Sequence, residues 1–370
     1  MNNLSTKRRF LFLFDNMSQK IAHKLVTKLT SSDRLQLLSV HSGSSNSKVY
    51  IYGDTQKEVF YAVKCVKDPR LSLFDEYARY LTLSKYYKNL PEVLNVQKVG
   101  NYEIMISNAY GTETLHRLIC SKPKTCSKCL SIWSDVVFSL VDVWEQTKHN
   151  YLSEESPRPY KPRLERITKG VKEIKISDNI KLENYFNLPL KINGVIYPSL
   201  EECFSRLERV DAPSFGVLCH GDPQPSNVVV SGNGWYLVDW EWSGFHNDWR
   251  QMLSHMYGWW SYRYFSAETL GEMKIEFGRI IINHNYGFNN EIQNYQKVAV
   301  EVFTRMNGTW KDIQDINKYL GLLYFGEIRF LDYWNKQKLM PAIIAEAVKT
   351  TFGNAGQPFQ YIDKSYHTYV

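Results

Sequence analysis

The stretch HGDPQPSN, residues 220–227, constrains this chain more than any other. Asp222 is followed five positions on by Asn227, and twelve residues after that Asn comes Asp239, in WYLVDWEW. VLCHGD and WYLVDW each read as a buried strand that ends at an aspartate, with SGNG as the loop of a hairpin-like pair. That pairing would bring Asp222, Asn227 and Asp239 near one another. Two carboxylates and an amide carbonyl form a hard-oxygen site, which suits Mg²⁺ held by few protein ligands together with water and phosphate oxygens. Singly, each residue has an ordinary reading, because Asp-Pro, Ser-Asn and Gly-Asn-Gly are common turn chemistry. The ordered set is harder to read that way.

His220, Gly221, Asp222, Asn227 and the later Asp239-Trp240-Glu241 resemble the aminoglycoside phosphotransferase and choline kinase superfamily. The Asp-x4-Asn spacing is that of a kinase catalytic loop, and the later aspartate stands where kinases hold magnesium. The resemblance implies an α+β, bilobal, protein-kinase-like fold. A small N-terminal antiparallel sheet lobe with one helix would precede a larger, mostly helical C-terminal lobe. It also implies roles. Asp222 orients the acceptor hydroxyl and accepts its proton, Asn227 and Asp239 are the Mg²⁺ ligands, and ATP or GTP is the phosphate donor. His220 would be structural, and Glu241 would be a further magnesium-shell or loop-positioning group.

A kinase also needs a lysine on its third strand paired to a glutamate on the next helix. FYAVKCV offers Lys64, and SLFDEYARYL offers Glu76 twelve residues on. Lys64 would then hold the α- and β-phosphates; the ordinary reading is a solvated lysine on an edge strand. SGSSNS, residues 42–47, has one glycine, Gly43, and is either a plain hairpin loop or a serine-rich phosphate loop using Ser44, Ser45 or Ser47. YEIMISNAYGTE reads as the last sheet strand running into a hinge, where backbone groups from Ser107 to Tyr110 would bind the adenine edge. Eight residues separate Asp239 from Asp248, which by resemblance is the structural aspartate opening the next helix. No activation segment fits that gap, and Gly221 stands where protein kinases carry an arginine. Both departures favour a small-molecule acceptor.

Periodicity organises the rest. Residues 16–30 read as a helix with Ile21, Leu25, Val26 and Leu29 on one face and three lysines elsewhere. Such a helix either packs on its own domain or lies on a membrane surface. LQLLSV, KVYIYG and VFYAVKCV read as strands, 72–88 as a helix, and VLNVQKVG and YEIMIS as further strands. The expected boundaries are a nucleotide-binding lobe over 1–110, with a helical extension over 1–32, and a helical lobe over 111–370 that carries the acceptor site. Residues 130–146 read as a long apolar helix, about 151–200 as an insertion, and the chain from 248 to about 350 as aromatic-rich helix.

At 370 residues and a net charge of +7 the chain can bury one large core or two smaller ones, and the charge permits an anionic ligand without demanding one. KRRFLFLF is too short for a signal h-region, and six cysteines make no disulfide scaffold, so cytoplasm is the expected compartment. No nucleic-acid reading element is recognisable, and nothing in the pattern speaks to oligomeric state. His116, Cys120, Cys126 and Cys129 form either a zinc set or unlinked thiols. The segment 158–175 holds seven basic and two acidic residues, as a solvated helix or as a basic rim for an anionic acceptor. The expected partner is a small-molecule hydroxyl compound: a neutral or anionic sugar or glycan unit, with an aminoglycoside or an amino alcohol as alternatives. A choline site would need an aromatic cage, for which Trp240, Trp242, Trp249, Trp259 and Trp260 are candidates. A binding-only pseudokinase would need none of Lys64, Asp222, Asn227 and Asp239.

Overall fold

A computed structural model describes residues 3–42, 47–54, 56, 58–67, 72–121, 127–150, 160–177, 180–232, 234–263, 271–285, 290–331 and 337–353. The chain divides into two compact units, one of Met1–Ser121 with Pro225–Trp242 and one of Lys122–Gln224 with Ser243–Val370.

The first unit opens with α1 (Asn3–Thr30), β1 (Gln36–Ser42), β2 (Lys48–Asp54) and β3 (Val59–Val66). It continues with α2 (Leu73–Leu83), β4 (Val93–Val99), β5 (Tyr102–Ala109) and α3 (Leu115–Ser121). The five strands form one antiparallel sheet in the order β1-β2-β3-β5-β4. Strand alternation divides its side chains. Val63 and Cys65 of β3 join Tyr50, Tyr52, Ile104 and Ile106 in a core that also contains Ala22 and Val26 of α1. Lys64, between them, points to the other face. Two tyrosines fasten α1 to the sheet: Tyr50 Oη lies 2.5 Å from Ser18 Oγ, and Tyr52 Oη donates to the Gln19 carbonyl at 3.2 Å. Ala22 and Val26, with Ile21 and Leu25 beside them, therefore pack on the sheet of their own unit. This face differs in detail from the expected one, since Leu29 is exposed while Ala22 is buried, and the helix begins at Asn3 instead of near residue 16.

The second unit begins with α4 (Ser127–Gln146), α5 (Tyr160–Lys172), β6 (Lys175–Ser177), β7 (Ile180–Lys181), β8 (Pro189–Ile192), β9 (Val195–Ser199), α6 (Leu200–Leu207) and β10 (Val217–Cys219). The chain then returns to the first unit for β11 (Val228–Ser231) and β12 (Gly234–Leu237), an antiparallel hairpin. The second unit resumes with β13 (Gly244–Asn247), α7 (Trp249–Arg263), β14 (Gly271–Glu276), β15 (Arg279–His284), α8 (Asn290–Arg305), α9 (Trp310–Glu327) and α10 (Met340–Thr351).

The structure departs from the sequence expectations in two places. The chain after 248 is not helical throughout, because β14 and β15 form a hairpin whose turn residues Phe277 and Gly278 have φ of 50° and 68°. That hairpin pairs in parallel with β8, making the four-stranded sheet β14-β15-β8-β9. Residues 189–199 thus share a sheet with residues 271–284. The turn of the β8–β9 hairpin is Asn193-Gly194, with φ of 48° and 90°, the left-handed pair that a two-residue hairpin turn of this type requires. Second, VLC of residues 217–219 does not pair with WYL. It pairs with β13, while the partner of GWYL is VVVS, the run directly after Asn227.

The helices of the second unit pack closely. Gly258 of α7 sits where a Cβ would stand 2.7 Å from the side-chain ends of Leu320 and Leu323 on α9, so a larger residue there would make those leucines shift. Asp248, ahead of α7, accepts from the Arg250 backbone at 2.9 Å, from Arg250 Nε at 3.0 Å and from Tyr319 Oη at 2.7 Å. The same guanidinium reaches Asp315 of α9 at 2.7 Å through Nη1. Arg250 is 1% exposed, so it ties the start of α7 to α9 deep inside the unit. Removing one partner of a buried ion network strands the others without solvent. Arg250→Ala should therefore lower unfolding free energy by about 3–5 kcal/mol in a urea titration.

At the end of β15, His284 exchanges backbone bonds with the Asn193 side chain, at 2.9 Å and 3.0 Å, and its Nε2 lies 3.0 Å from Lys349 Nζ. Burial, and then the Lys349 charge, push the imidazole down to about 4. The folded state keeps this ring neutral while the unfolded state takes up a proton below its ordinary value of 6.5. Its contribution is thus full above that value and is lost as pH falls toward 4. Glu346, held high by burial, titrates in the opposite sense. The melting temperature of the wild type should fall faster between pH 6.5 and 4 than that of His284→Gln, which keeps an acceptor for Lys349 but no titration.

Candidate functional site

Lys64 is the hub of the first unit. It lies on β3, a strand flanked by β2 and β5, so it is not on an edge. Its Nζ donates to both carboxylate oxygens of Glu76, at 3.0 and 2.9 Å, and to Asp239 Oδ1 at 3.0 Å. Glu241 Oε2 stands 3.9 Å away. Burial alone would push the ammonium down, but the charges of Asp239, Glu76 and Glu241 outweigh it and hold Lys64 protonated well above its ordinary range. Burial raises Glu76, partly offset by Lys64. Glu76 is placed by α2, whose N-cap Ser72 accepts from the Asp75 backbone at 3.2 Å.

One turn further along α2, Arg79 donates to the Glu241 carbonyl, and the Tyr80 ring lies 5.2 Å from that of Trp240. Glu76, Arg79 and Tyr80 thus all bear on the segment Asp239–Glu241. Asp239 itself has φ of 65°, a conformation that side chains other than glycine rarely adopt and that persists where surrounding contacts determine it.

Asn227 and Asp239 bracket the β11–β12 hairpin, and the Val238 amide donates to the Asn227 carbonyl at 3.0 Å. Asn227 is buried, while the side chain of Asp239 is 41% exposed. Among the described residues no group of three or more His, Cys, Asp and Glu side chains could by itself hold a metal. An amide and a carboxylate, both oxygen donors, nevertheless fit Mg²⁺, which keeps most of its shell as water and phosphate.

Asp222 belongs to the second unit, together with Gln224. Gln224 Nε2 donates to Asp222 Oδ2 at 2.6 Å, and its Oε1 accepts from Trp259 Nε1 at 2.6 Å. His255 Nδ1 stands 3.4 Å from Asp222 Oδ1, and Arg163 Nη1 lies 3.1 Å from His255 Nε2. Trp259 and His255 come from α7, and Arg163 comes from α5 in the basic segment. His220 is buried beside them in the chain.

The remaining candidates are distributed as follows. Gly43, Ser44 and Ser45 lie outside the described residues, and Ser47 is buried. Ser107 is buried in β5, opposite Ala62 on one side and Val93 on the other, so β5 is an interior strand of the sheet. Tyr110 follows β5 directly, and its ring stacks on Tyr236 of β12 with centroids 3.7 Å apart. Trp240, Trp249, Trp259 and Trp260 are all buried in packing contacts, which leaves little of them for an aromatic cage. His116 and Cys120 touch at 3.8 Å, Cys129 is buried, and Cys126 lies outside the described residues. On α5, Lys161, Arg166 and Lys169 are exposed and Arg163 is turned inward; Arg158 lies outside the described residues. No described helix is long and apolar enough to cross a membrane.

Sequence reasoning missed Arg79, Arg163, Gln224 and His255. Gln224 sits two residues beyond Asp222 and was there to be noticed. Arg163 and His255 meet Asp222 only through helix packing, and no spacing in one sequence announces that.

No family model and no curated protein matches the chain. Solved structures do. A thermostable mutant of aminoglycoside phosphotransferase APH(4)-Ia, apo form, matches over 90% of this chain and 99% of its own, at 12% identity and a TM-score of 0.53. A thermostable mutant of the same enzyme in ternary complex with ADP and hygromycin B covers 89% and 98%, at 13% identity and a TM-score of 0.53. Aminoglycoside-3'-phosphotransferase of type VIII covers 84% and 99%, at 15% identity and a TM-score of 0.50. With its antiparallel five-stranded sheet and its helical second unit, the chain has the α+β, bilobal, protein-kinase-like fold of the aminoglycoside phosphotransferases.

Proposed function

We propose that this protein is a small-molecule kinase that moves the γ-phosphate of ATP or GTP to a hydroxyl group. The observation that carries the reading is Lys64, bonded at once to Glu76 on α2 and to Asp239 on the loop after β12. A strand lysine joined to a helix glutamate and to the metal-position aspartate is what phosphoryl transfer asks of a nucleotide site. The similar APH(4)-Ia structure was solved with ADP and hygromycin B, a nucleotide and a small hydroxyl compound, which supports the same class here.

In this reading Lys64 holds the α- and β-phosphates, and Glu76 keeps the ammonium in place. Backbone groups from Ser107 to Tyr110 meet the adenine edge, and Ser44 and Ser45 meet the phosphates. Asn227 and Asp239 would hold Mg²⁺, which when bound neutralises phosphate charge. Asp222 accepts the hydroxyl proton as the acceptor oxygen bonds to the γ-phosphorus and the bond to the nucleoside diphosphate breaks. The acceptor is a neutral or anionic hydroxyl compound such as a sugar or glycan unit. The exposed basic face of α5 supports this, because it would repel a polycation such as an aminoglycoside. The burial of four candidate cage tryptophans argues against a choline-type acceptor. The working compartment in this reading is the cytoplasm.

Asp222→Ala should reduce phosphoryl transfer by about 10²–10⁴-fold while leaving nucleotide affinity nearly unchanged, since a positioned base acts on rate. Nucleotide turnover over a panel of sugars, amino alcohols and aminoglycosides measures this, and undiminished turnover in the purified variant would contradict the role. Asp239→Ala should weaken Mg²⁺-dependent nucleotide binding more than Asn227→Ala does, because only a carboxylate offsets metal charge. Titrations with and without Mg²⁺ decide it, and equal, metal-independent affinity in all three proteins would point to a binding-only role.

A further inference from the structure

The two oxygens of Asp222 are addressed by two separate chains of hydrogen-bonding groups, each of which starts at a group that can only donate. Arg163 has no acceptor atom, so its approach to His255 Nε2 at 3.1 Å requires that nitrogen to be bare. The proton of the neutral imidazole is then on Nδ1, which stands 3.4 Å from Asp222 Oδ1. Trp259 Nε1 is likewise donor-only. Its bond to Gln224 Oε1 at 2.6 Å fixes which way the amide faces, so that Nε2 donates to Asp222 Oδ2 at 2.6 Å. His255 and Trp259 are 4% and 2% exposed, and both stand on α7, one turn apart.

We infer that Arg163–His255 and Trp259–Gln224 are positioning relays that hold the Asp222 carboxylate in one orientation, and that α5 of the inserted segment thereby governs the base. The inference rests on the kinase reading for the purpose of that orientation, but the relays themselves are a matter of proton placement. Arg163 Nη1, His255 Nδ1, Trp259 Nε1 and Gln224 Nε2 each donate in the direction of Asp222. With one such group on each oxygen, at 2.6 Å and 3.4 Å, the rotamer of the carboxylate is fixed. A misplaced base loses rate through geometry and leaves nucleotide binding alone. Arg163, His255, Gln224 and Trp259 are therefore positioning residues, and Asp222 alone touches the reacting atoms.

The test uses the full chain, with Mg²⁺-ATP as the probe and water as the acceptor, beside a ¹⁵N spectrum of the histidine rings. In the wild type near neutral pH the ring of His255 should be the neutral Nδ1–H tautomer, and its Nε2 resonance should move in Arg163→Met. Phosphate release in His255→Leu should fall by about tenfold to a hundredfold with KM for Mg²⁺-ATP within about twofold of wild type. His255→Asn, whose amide nitrogen takes the place of Nδ1, should recover most of the rate and covers the case in which the leucine variant does not fold. An Nε2–H tautomer, an imidazolium, or an Nε2 signal unmoved in Arg163→Met would overturn the Arg163 relay. Wild-type turnover in a folded His255→Leu protein, with Asp222→Ala inactive, would overturn the positioning role and leave the kinase reading standing. Wild-type turnover in Asp222→Ala would instead overturn the kinase reading, and the nitrogen spectrum alone would then decide whether the relay exists.

Discussion

One buried ammonium organises the first unit. Lys64 satisfies its donors on Glu76 and Asp239, with Glu241 close by, and these acids come from two distant parts of the chain, α2 and the segment after β12. A lysine this deep is costly unless it is paired, and a carboxylate such as Glu76 is equally costly without the lysine. The cluster is stable only as a set, so α2, β3 and the segment after β12 have one compatible arrangement. Arg79 and Tyr80 reinforce it from the same helix. Asp239, with its left-handed backbone, is held by these contacts at some local cost, the kind of strain that clusters at working sites.

The rest of the first unit serves that hub. Alternation along β3 turns Val63 and Cys65 toward α1 and leaves Lys64 on the opposite face. Ser18 and Tyr50 fix α1 to that sheet, and Tyr110 stacked on Tyr236 joins the end of β5 to the β11–β12 hairpin. In the second unit the same economy is seen twice. Arg250 links the start of α7 to α9, and α7 presents His255 and Trp259 to Asp222 and Gln224. A helix fixed at its start by a buried ion network is a firm base from which to aim two side chains at a third.

Much of this was legible in the sequence because the cues were local. Hydrophobic alternation marked the five sheet strands, and order along the chain pointed to the Lys64–Glu76 pair and to Asp239. Two kinds of feature were harder to read: contacts that need two distant segments at once, and short hairpins inside apolar or aromatic-rich stretches. VLC looked like the partner of WYL because both are apolar and close in sequence, but VVVS, directly across the SGNG loop, makes the shorter and better hairpin. The strand pair over 271–284 lies in an aromatic-rich stretch that reads as helix, although its Phe-Gly turn and alternating EMKIE are local signals, as is the Asn-Gly of 193–194. Periodicity puts Leu29 on the apolar face of α1 because it cannot say where the sheet beneath the helix ends. Arg163 and His255 were unreadable, since only packing of α5 against α7 brings them to Asp222.

The proposed activity requires that the Lys64 cluster be a nucleotide site. Calorimetric titration of Mg²⁺-ADP into the wild type and Lys64→Met is the direct measurement. The wild type should bind with an affinity that depends on Mg²⁺, and Lys64→Met should lose about tenfold to a hundredfold, the usual worth of a charge-assisted phosphate contact. A folded wild type that binds no adenine or guanine nucleotide, or a Lys64→Met protein that binds it as tightly, would contradict the account.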